Sequence, residues 1–283
     1  MVTEVAQVKG QRKVGAPPLP HEHGAWVMLY APLILALGVA EGFAWLPSLL
    51  LVVAVTGAFL AREPADLLIR GRGKQGSAFW LGAYATVTLA AALPLVLVYD
   101  RLALVVVGGI AGGLFGIHAV MLAWPARRRL DRSESGEVLA VTGLTLTAPA
   151  AYAVSTGRFD GVALCLWAVS ILYFASSIFF VKMLLGGARF KGEVTPRARL
   201  RIGRWNIAYH VALVAVLAWL APRAGVFGGW LVALAYAPVV LRALWWNARV
   251  SRRPPNLKHI GFMEMGYAAW FLGFIIAGLR AGS

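Results

Sequence analysis

Hydrophobic residues dominate nine stretches of this chain, each about as long as a helix needs to cross a bilayer. No stretch alternates apolar and polar residues in the manner of a barrel strand, so the pattern predicts membrane-spanning helices. The second stretch is short, and its helix either lies tilted within the bundle or runs on into residues 62–70. The predicted spans are residues 24–41, 45–61, 78–99, 102–124, 138–155, 162–185, 205–221, 228–246 and 260–279.

The polar connections between these spans are alternately basic and nearly uncharged. Of the 27 Lys and Arg residues, 23 fall on the side of the N-terminus, while the other side holds only Arg101, Arg158, Arg223 and Arg280. The positive-inside rule therefore predicts a cytoplasmic N-terminus and an outside C-terminus. We expect a multi-pass protein of the cell (inner) membrane, with a cytoplasmic tail over residues 1–20 and a single transmembrane helical domain over residues 21–283.

The overall composition agrees with this class of protein. Charged residues make up 14% of the chain and the mean hydropathy is +0.72, whereas soluble domains carry roughly 25% charged residues. The net charge of +15 would suggest nucleic acid in a soluble protein. Because the basic residues flank apolar spans, we instead expect anionic lipid headgroups as partners, and no nucleic acid.

The first cluster of candidate functional residues is His21-Glu22-His23, where the first span begins. A His-x-His spacing on an extended segment can bind a metal, which makes His21 and His23 candidate ligands together with Glu63. The alternative is an interfacial anchor, in which these side chains and Trp26 lie at headgroup depth.

A second cluster follows the second span. If that helix continues, Arg62, Asp66 and Arg70 lie on one face at four-residue spacing and can pair, with Glu63 beside them. An acid among arginines is either a structural ion pair or a metal or anion site, and the sequence leaves both open.

The third cluster consists of cations near the end of the sixth span, where Lys182 precedes Gly186-Gly187, Arg189 and Lys191. Paired glycines with nearby cations suit a loop that holds a phosphate or carboxylate. Lys182 can equally extend its ammonium group to the membrane interface.

Three further polar residues fall inside spans, where each needs a partner or water. His118 and His210 are each about two turns from the basic side. A single histidine inside a span is most often packed and hydrogen-bonded, whereas two at similar depth are also compatible with a polar cavity open to the cytoplasm. Glu264 lies in the last span, and we expect its partner to be His259, Lys258 or the acid and histidine at 22–23. The glycines of the fourth span, from Gly108 to Gly116, predict close helix packing.

Several motifs resemble those of the YwiC-like family of bacterial membrane proteins, whose function the resemblance does not establish. They are His21-Glu22-His23-Gly24-Ala25-Trp26, Arg62-Glu63-Pro64, Gly136-Glu137 with Ala148-Pro149, and Lys258-His259-Ile260-Gly261 with Glu264. The resemblance spans nearly the whole chain, and the segment Glu22–Trp26 is its most specific part.

The topology is more distantly similar to the UbiA-type intramembrane prenyltransferases, and this likeness implies a UbiA-like helical bundle. In that superfamily, aspartate-rich motifs after spans two and six hold the magnesium ions of a prenyl diphosphate. Here the first connection keeps only Glu63 and Asp66, and the second has no acid before Glu193. Mg²⁺ is therefore the cofactor that the likeness implies, but most of its usual ligands are missing.

Two classes of function follow from these residues. The first is a UbiA-like enzyme acting on an isoprenoid or quinone-type lipid, with Glu63, Asp66 and Glu264 as catalytic residues. The second is a non-enzymatic binder of a quinone, haem or anionic lipid, or an accessory membrane subunit. The ligand-binding candidates for either class are Glu22, His23, Arg62, Arg70, His118, Lys182, Arg189, Lys191, His210 and His259.

Overall fold

The computed structural model describes residues 15–20, 23–73, 76–124, 133–220 and 225–281. Over these ranges every regular element of secondary structure is an α-helix. The ten helices are α1 (His23–Val39), α2 (Trp45–Ile69), α3 (Ser77–Leu97), α4 (Ala103–Ala123), α5 (Glu134–Leu144), α6 (Thr147–Thr156), α7 (Gly161–Arg189), α8 (Pro196–Leu220), α9 (Gly225–Arg249) and α10 (Leu257–Ala281).

All nine predicted spans correspond to apolar helical segments. Eight are long and apolar enough to cross a membrane, and the remaining one is the shorter helix over residues 24–39. The fifth span is broken at Thr145–Leu146, so that α5 and α6 together make one crossing. The chain is therefore an all-α polytopic membrane protein, as the hydropathy pattern predicts.

Several helices extend beyond the predicted spans at their basic ends. Helix α2 runs on through Pro64 to Ile69, which confirms one of the two predictions for the short second span. Helix α8 begins at Pro196 rather than residue 205, because the Thr195 hydroxyl accepts a hydrogen bond from the Ala198 amide (3.3 Å) and caps the helix there. The charged residues end the apolar stretch but not the helix.

Helix α7 forms the centre of the fold. It packs against α5, α6, α8 and α9 and also touches α1. Its Tyr173 ring is fully buried and stacks on Phe271 of α10 at a centroid distance of 4.1 Å, with Tyr236 of α9 edge-on to both. Helices α3 and α4 are the least buried of the long spans.

The glycines of α4 do not mediate close helix packing, so that prediction is wrong. A Cβ atom built on Gly108, Gly112 or the other α4 glycines would meet no neighbouring atom within 4 Å. Close approaches occur elsewhere, where Gly57 faces Thr88 and Gly203 faces Asn247. The α4 glycines instead leave open space beside the helix, and this space is part of the candidate site.

Candidate functional site

An apolar cavity of about 510 Å³ lies between α2, α3 and α4, with α5 and α6 closing its inner side. We call it the α4 cavity. Its α4 wall runs from Leu104 to His118, a distance of about 21 Å at 1.5 Å per residue. Gly108 and Gly112 form part of this wall, and their missing side chains leave room for the cavity. The site is elongated along the helix axis.

Polar side chains occur at one end of the α4 cavity. Arg62 of α2 and His118 of α4 line this end, and Asp66 joins them. His118 Nε2 lies 3.2 Å from both carboxylate oxygens of Asp66, and Arg62 Nε lies 3.9 Å from Asp66 Oδ2. The predicted pairing of Arg62 with Asp66 is confirmed, and we call the three residues the polar cap.

The chemistry of the polar cap follows from which atoms can donate. A carboxylate accepts hydrogen bonds only, so His118 carries a proton on Nε2 and donates it to Asp66. The carboxylate side chain is 14% exposed and the imidazole 11%, so neither group is fully solvated. A carboxylate–imidazole pair of this kind fixes the orientation of the ring.

A second polar cluster lies among α7, α8, α9 and α10, away from the residues that line the α4 cavity. The guanidinium of Arg242 (α9) forms an ion pair with Glu264 (α10), whose Oε2 also accepts a hydrogen bond from Ser177 of α7 at 2.6 Å. Arg242 also donates to Ser176 Oγ at 3.4 Å. Its guanidinium lies over the Phe180 ring at 4.0 Å.

His210 belongs to this second cluster and uses both ring nitrogens inside the protein. Nδ1 lies 2.8 Å from the Asn206 carbonyl oxygen, which can only accept, so the proton is on Nδ1. In the neutral ring Nε2 is then an acceptor, and the Ser176 hydroxyl donates to it at 2.9 Å. The hydrogen bonds thus run from Arg242 to Ser176, His210 and the α8 backbone.

The expected common cavity for His118 and His210 is not found, because the two residues lie in different clusters. Among the described residues, Glu264 pairs with Arg242 and Ser177 rather than with the expected Lys258 or His259, and the side chains of the other two expected partners, residues 22 and 23, lie outside the described part. Sequence position places Arg242 near a span end, but its side chain is only 1% exposed. An arginine within an apolar run, two turns from the next basic residue, was the available signal for this site.

Lys182 forms an ion pair with Glu137 of α5, Nζ to Oε1, at 3.0 Å. The bond joins α7 to the helix whose Ala140, one turn further on, lines the α4 cavity. The sequence predicted either a phosphate-binding loop or an interfacial position for Lys182. Neither prediction included an ion pair with Glu137. Its pairing shows that the ammonium group has a protein counterion.

Four further predicted site residues lie near helix ends, and Glu63 lies within α2. Arg189 is exposed at the last residue of α7 and Lys191 is exposed just after it. His259 is exposed in the first turn of α10, where its amide donates to Asn256 Oδ1 at 3.1 Å. Arg70 is half-buried at the end of α2. Glu63 is half-buried, and within the described ranges it makes no hydrogen bond or ion pair.

The metal candidates lie mostly outside the described residues. His21 and Glu22 fall in an undescribed segment, and His23 is described only through its place at the start of α1. Among the described residues, no three His, Cys, Asp or Glu side chains come together in a way that could hold a metal ion. The described residues therefore contain no carboxylate cluster that could hold the diphosphate-bound Mg²⁺ implied by the UbiA likeness.

These features define a multi-pass helical membrane protein. It contains an apolar cavity with polar side chains at one end, and a separate buried network around an ion pair. Residues 19–152 match the family model described as YwiC-like protein. The chain is also 26% identical over 254 residues to a protein described as uncharacterized protein YwiC, from Bacillus subtilis (strain 168), with 90% of this chain and 95% of the relative covered. These two matches confirm the resemblance to the YwiC-like family. No solved structure matches the chain.

Proposed function

We propose that the protein binds a lipid-like amphiphile of isoprenoid or quinone type in the α4 cavity. The observation that carries the proposal is the cavity itself, which is about 510 Å³ in volume, apolar along its length and polar at one end. Ligand pockets for small molecules commonly enclose about 300–1,000 Å³ and combine apolar walls with a few convergent polar groups. The tail lies along α4 and the head group contacts the polar cap.

The hydroxyl groups in the cavity wall are already hydrogen-bonded to the backbone, which favours a ligand whose tail has no polar substituents. Thr147 Oγ1 donates to the Leu29 carbonyl at 2.6 Å, and Thr88 Oγ1 donates to the Tyr84 carbonyl at 2.8 Å. Both hydroxyls line the cavity but direct their hydrogen atoms to the backbone. The interior therefore offers the ligand mainly methyl, methylene and glycine surface.

Exposure of α4 supports access from the bilayer. Val105, Phe115 and Ile117 are exposed large hydrophobic side chains of α4, and Leu93 is exposed on α3. In a membrane these faces contact lipid tails. With the inferred orientation in the inner membrane, the polar cap lies towards the cytoplasmic leaflet, at the depth expected for the head group of a lipid in that leaflet.

The polar cap also supports a second candidate function, a UbiA-like enzyme at the same cavity. Asp66 orients His118, and the pair is placed to take a proton from a ligand hydroxyl at the cavity end. Glu63 is on the same turn of α2 as Arg62 and is the second acid on that turn, although it does not line the cavity. Glu264, the third proposed catalytic residue, is engaged by Arg242 and acts in fold stability instead.

Haem is a weaker ligand candidate than a quinone or other isoprenoid. His210 already uses both ring nitrogens in hydrogen bonds, and in His118, whose Nε2 proton is donated to Asp66, only Nδ1 carries a lone pair. An axial ligand needs an imidazole nitrogen with a lone pair directed at the iron.

The accessory-subunit alternative predicts that the protein purifies with no ligand in the α4 cavity.

The test is native mass spectrometry with lipid extraction on protein purified in mild detergent, comparing two leucine variants of neighbouring glycines. Gly112→Leu places a side chain in the cavity wall, whereas Gly113→Leu adds the same bulk to α4 at a residue that does not line the cavity. Neither Cβ meets an atom within 4 Å, so both variants are expected to fold.

We expect wild type and Gly113→Leu to retain an extractable isoprenoid or quinone lipid and Gly112→Leu to lose it. A wild-type protein that carries only bulk phospholipid would contradict the proposal. Equal retention by the two variants would also contradict it, because the ligand would then lie outside the α4 cavity.

A further inference from the structure

The polar end of the α4 cavity combines two matched pairs of side chains from α2 and α4. On α2, Phe59 precedes Arg62 by three residues, and on α4, Phe115 precedes His118 by three residues. All four line the cavity. Residues three apart on a helix are neighbours on one face, so each aromatic ring lies about one turn deeper than its polar partner.

The two aromatic rings are held differently. Phe59 is buried and its ring meets Trp26 edge-on at a centroid distance of 4.8 Å, which fixes its orientation. Phe115 is 41% exposed, and its ring centroid lies 6.2 Å from that of His118. One wall of the cavity end is therefore rigid and the other can adjust to a ligand. Aromatic side chains favour stacked or edge-to-face contact with another ring.

The described side chains of the polar cap are paired with one another, and a second ion pair joins α7 to α5. Arg62 and His118 both face Asp66, and Lys182 is paired with Glu137. Binding a diphosphate at the polar cap, with its several negative charges, would require Arg62 and His118 to leave Asp66 and would place phosphate near that carboxylate. An uncharged acceptor can take hydrogen bonds from Arg62 without breaking a pair.

Resting on the binding function proposed above, we infer that the head group recognised by this site is an uncharged planar ring with acceptor oxygens, as in a quinone. The ring lies between Phe59 and Phe115, and its oxygens accept from the polar cap. This assignment excludes a prenyl diphosphate as the preferred ligand of the site.

Three probes that share a farnesyl tail test the inference: farnesyl-substituted benzoquinone, farnesol and farnesyl diphosphate. Binding of the radiolabelled probes to purified wild type in detergent is compared with binding to Phe115→Leu and to Phe262→Leu. Phe262 is also an exposed phenylalanine, but it lies on α10 away from the cavity. Both substitutions are at exposed positions, so the fold is expected to tolerate them.

We expect the quinone to bind most tightly. Phe115→Leu should weaken quinone binding about two- to tenfold, the size of an aromatic ring contact, while farnesol binding and the Phe262→Leu control change little. Tightest binding of farnesyl diphosphate, or equal effects of Phe115→Leu on quinone and farnesol, would overturn the ring assignment and leave the cavity proposal intact. Absence of binding by all three probes would overturn both.

Discussion

Arg242 of α9 and Glu264 of α10 form an ion pair within the membrane-spanning part of the fold. Ser177 of α7 donates to the same carboxylate, so one acidic group ties three helices together. Removing one partner of a buried pair leaves an uncompensated charge, which costs more than removing both.

We therefore expect Glu264→Met to destabilise the protein by about 3 kcal/mol or more, whereas the double variant Arg242→Met/Glu264→Met recovers a large part of that loss. The measurement is the thermal midpoint of the detergent-solubilised protein. Arg249→Met is the matched control, because Arg249 is an exposed arginine on the same helix. A double variant as unstable as the sum of the single variants would show that the charges are not coupled.

Glycine positions offer a prediction about where side-chain volume matters. Gly203→Ala should destabilise the protein by about 1–3 kcal/mol, because the new Cβ would collide with the Asn247 side-chain oxygen. Gly113→Ala, also in the middle of a helix, should be neutral or stabilising by up to about 1 kcal/mol, since it gains helix propensity and meets open space. Fluorescence-detected gel filtration after heating separates the two, and an equal loss for both would contradict the packing described.

The inferred membrane orientation predicts which connections a membrane-impermeant thiol reagent reaches in intact cells. Cys165 is the single cysteine, so Cys165→Ala provides a background for new cysteines. In that background we expect Arg158→Cys, between α6 and α7, to be labelled from outside. Lys191→Cys, between α7 and α8, should be labelled only after permeabilisation. The reverse pattern would invert the topology and place the polar cap at the outer face.

The hydrogen bonds of His210 predict a neutral ring with its proton on Nδ1. Nitrogen-15 chemical shifts of histidine-labelled protein distinguish this tautomer from the Nε2–H form and from the imidazolium. His210→Gln identifies the signal among the five histidines of the chain. An Nε2–H signal would mean that Ser176 does not donate to His210 and that the order of hydrogen bonds is different.

Sequence alone predicts the features of this protein that depend on composition and on local spacing. The nine spans follow from hydropathy, and the Arg62–Asp66 pair follows from i, i+4 spacing on one helix. Contacts between distant helices depend on how each helix is rotated about its axis, which a uniformly apolar span does not reveal. For that reason the Arg242–Glu264 and Lys182–Glu137 pairs were not predicted, although each residue is visible in the sequence.

The glycines of α4 show a second limit. A run of small residues in an apolar span is compatible both with close helix contact and with a space left for another molecule. Which of the two occurs depends on whether another helix lies opposite the glycines. For α4, no neighbouring atom lies within 4 Å of a Cβ built on any of its glycines. The α5–α6 break was likewise not predicted, because residues 138–155 read as one continuous apolar stretch.

The empty space beside α4 has a consequence for how relatives of this protein can diverge. A glycine codon becomes an alanine codon by one nucleotide change, and at Gly108 or Gly112 the new Cβ atom would meet no neighbouring atom within 4 Å beside the α4 cavity. Each change shortens or narrows the space for a tail and leaves the ion-paired helices α7–α10 untouched. Under the binding function proposed above, ligand preference would thus evolve by point mutation along a single helix, independently of the Arg242–Glu264 network among the other helices.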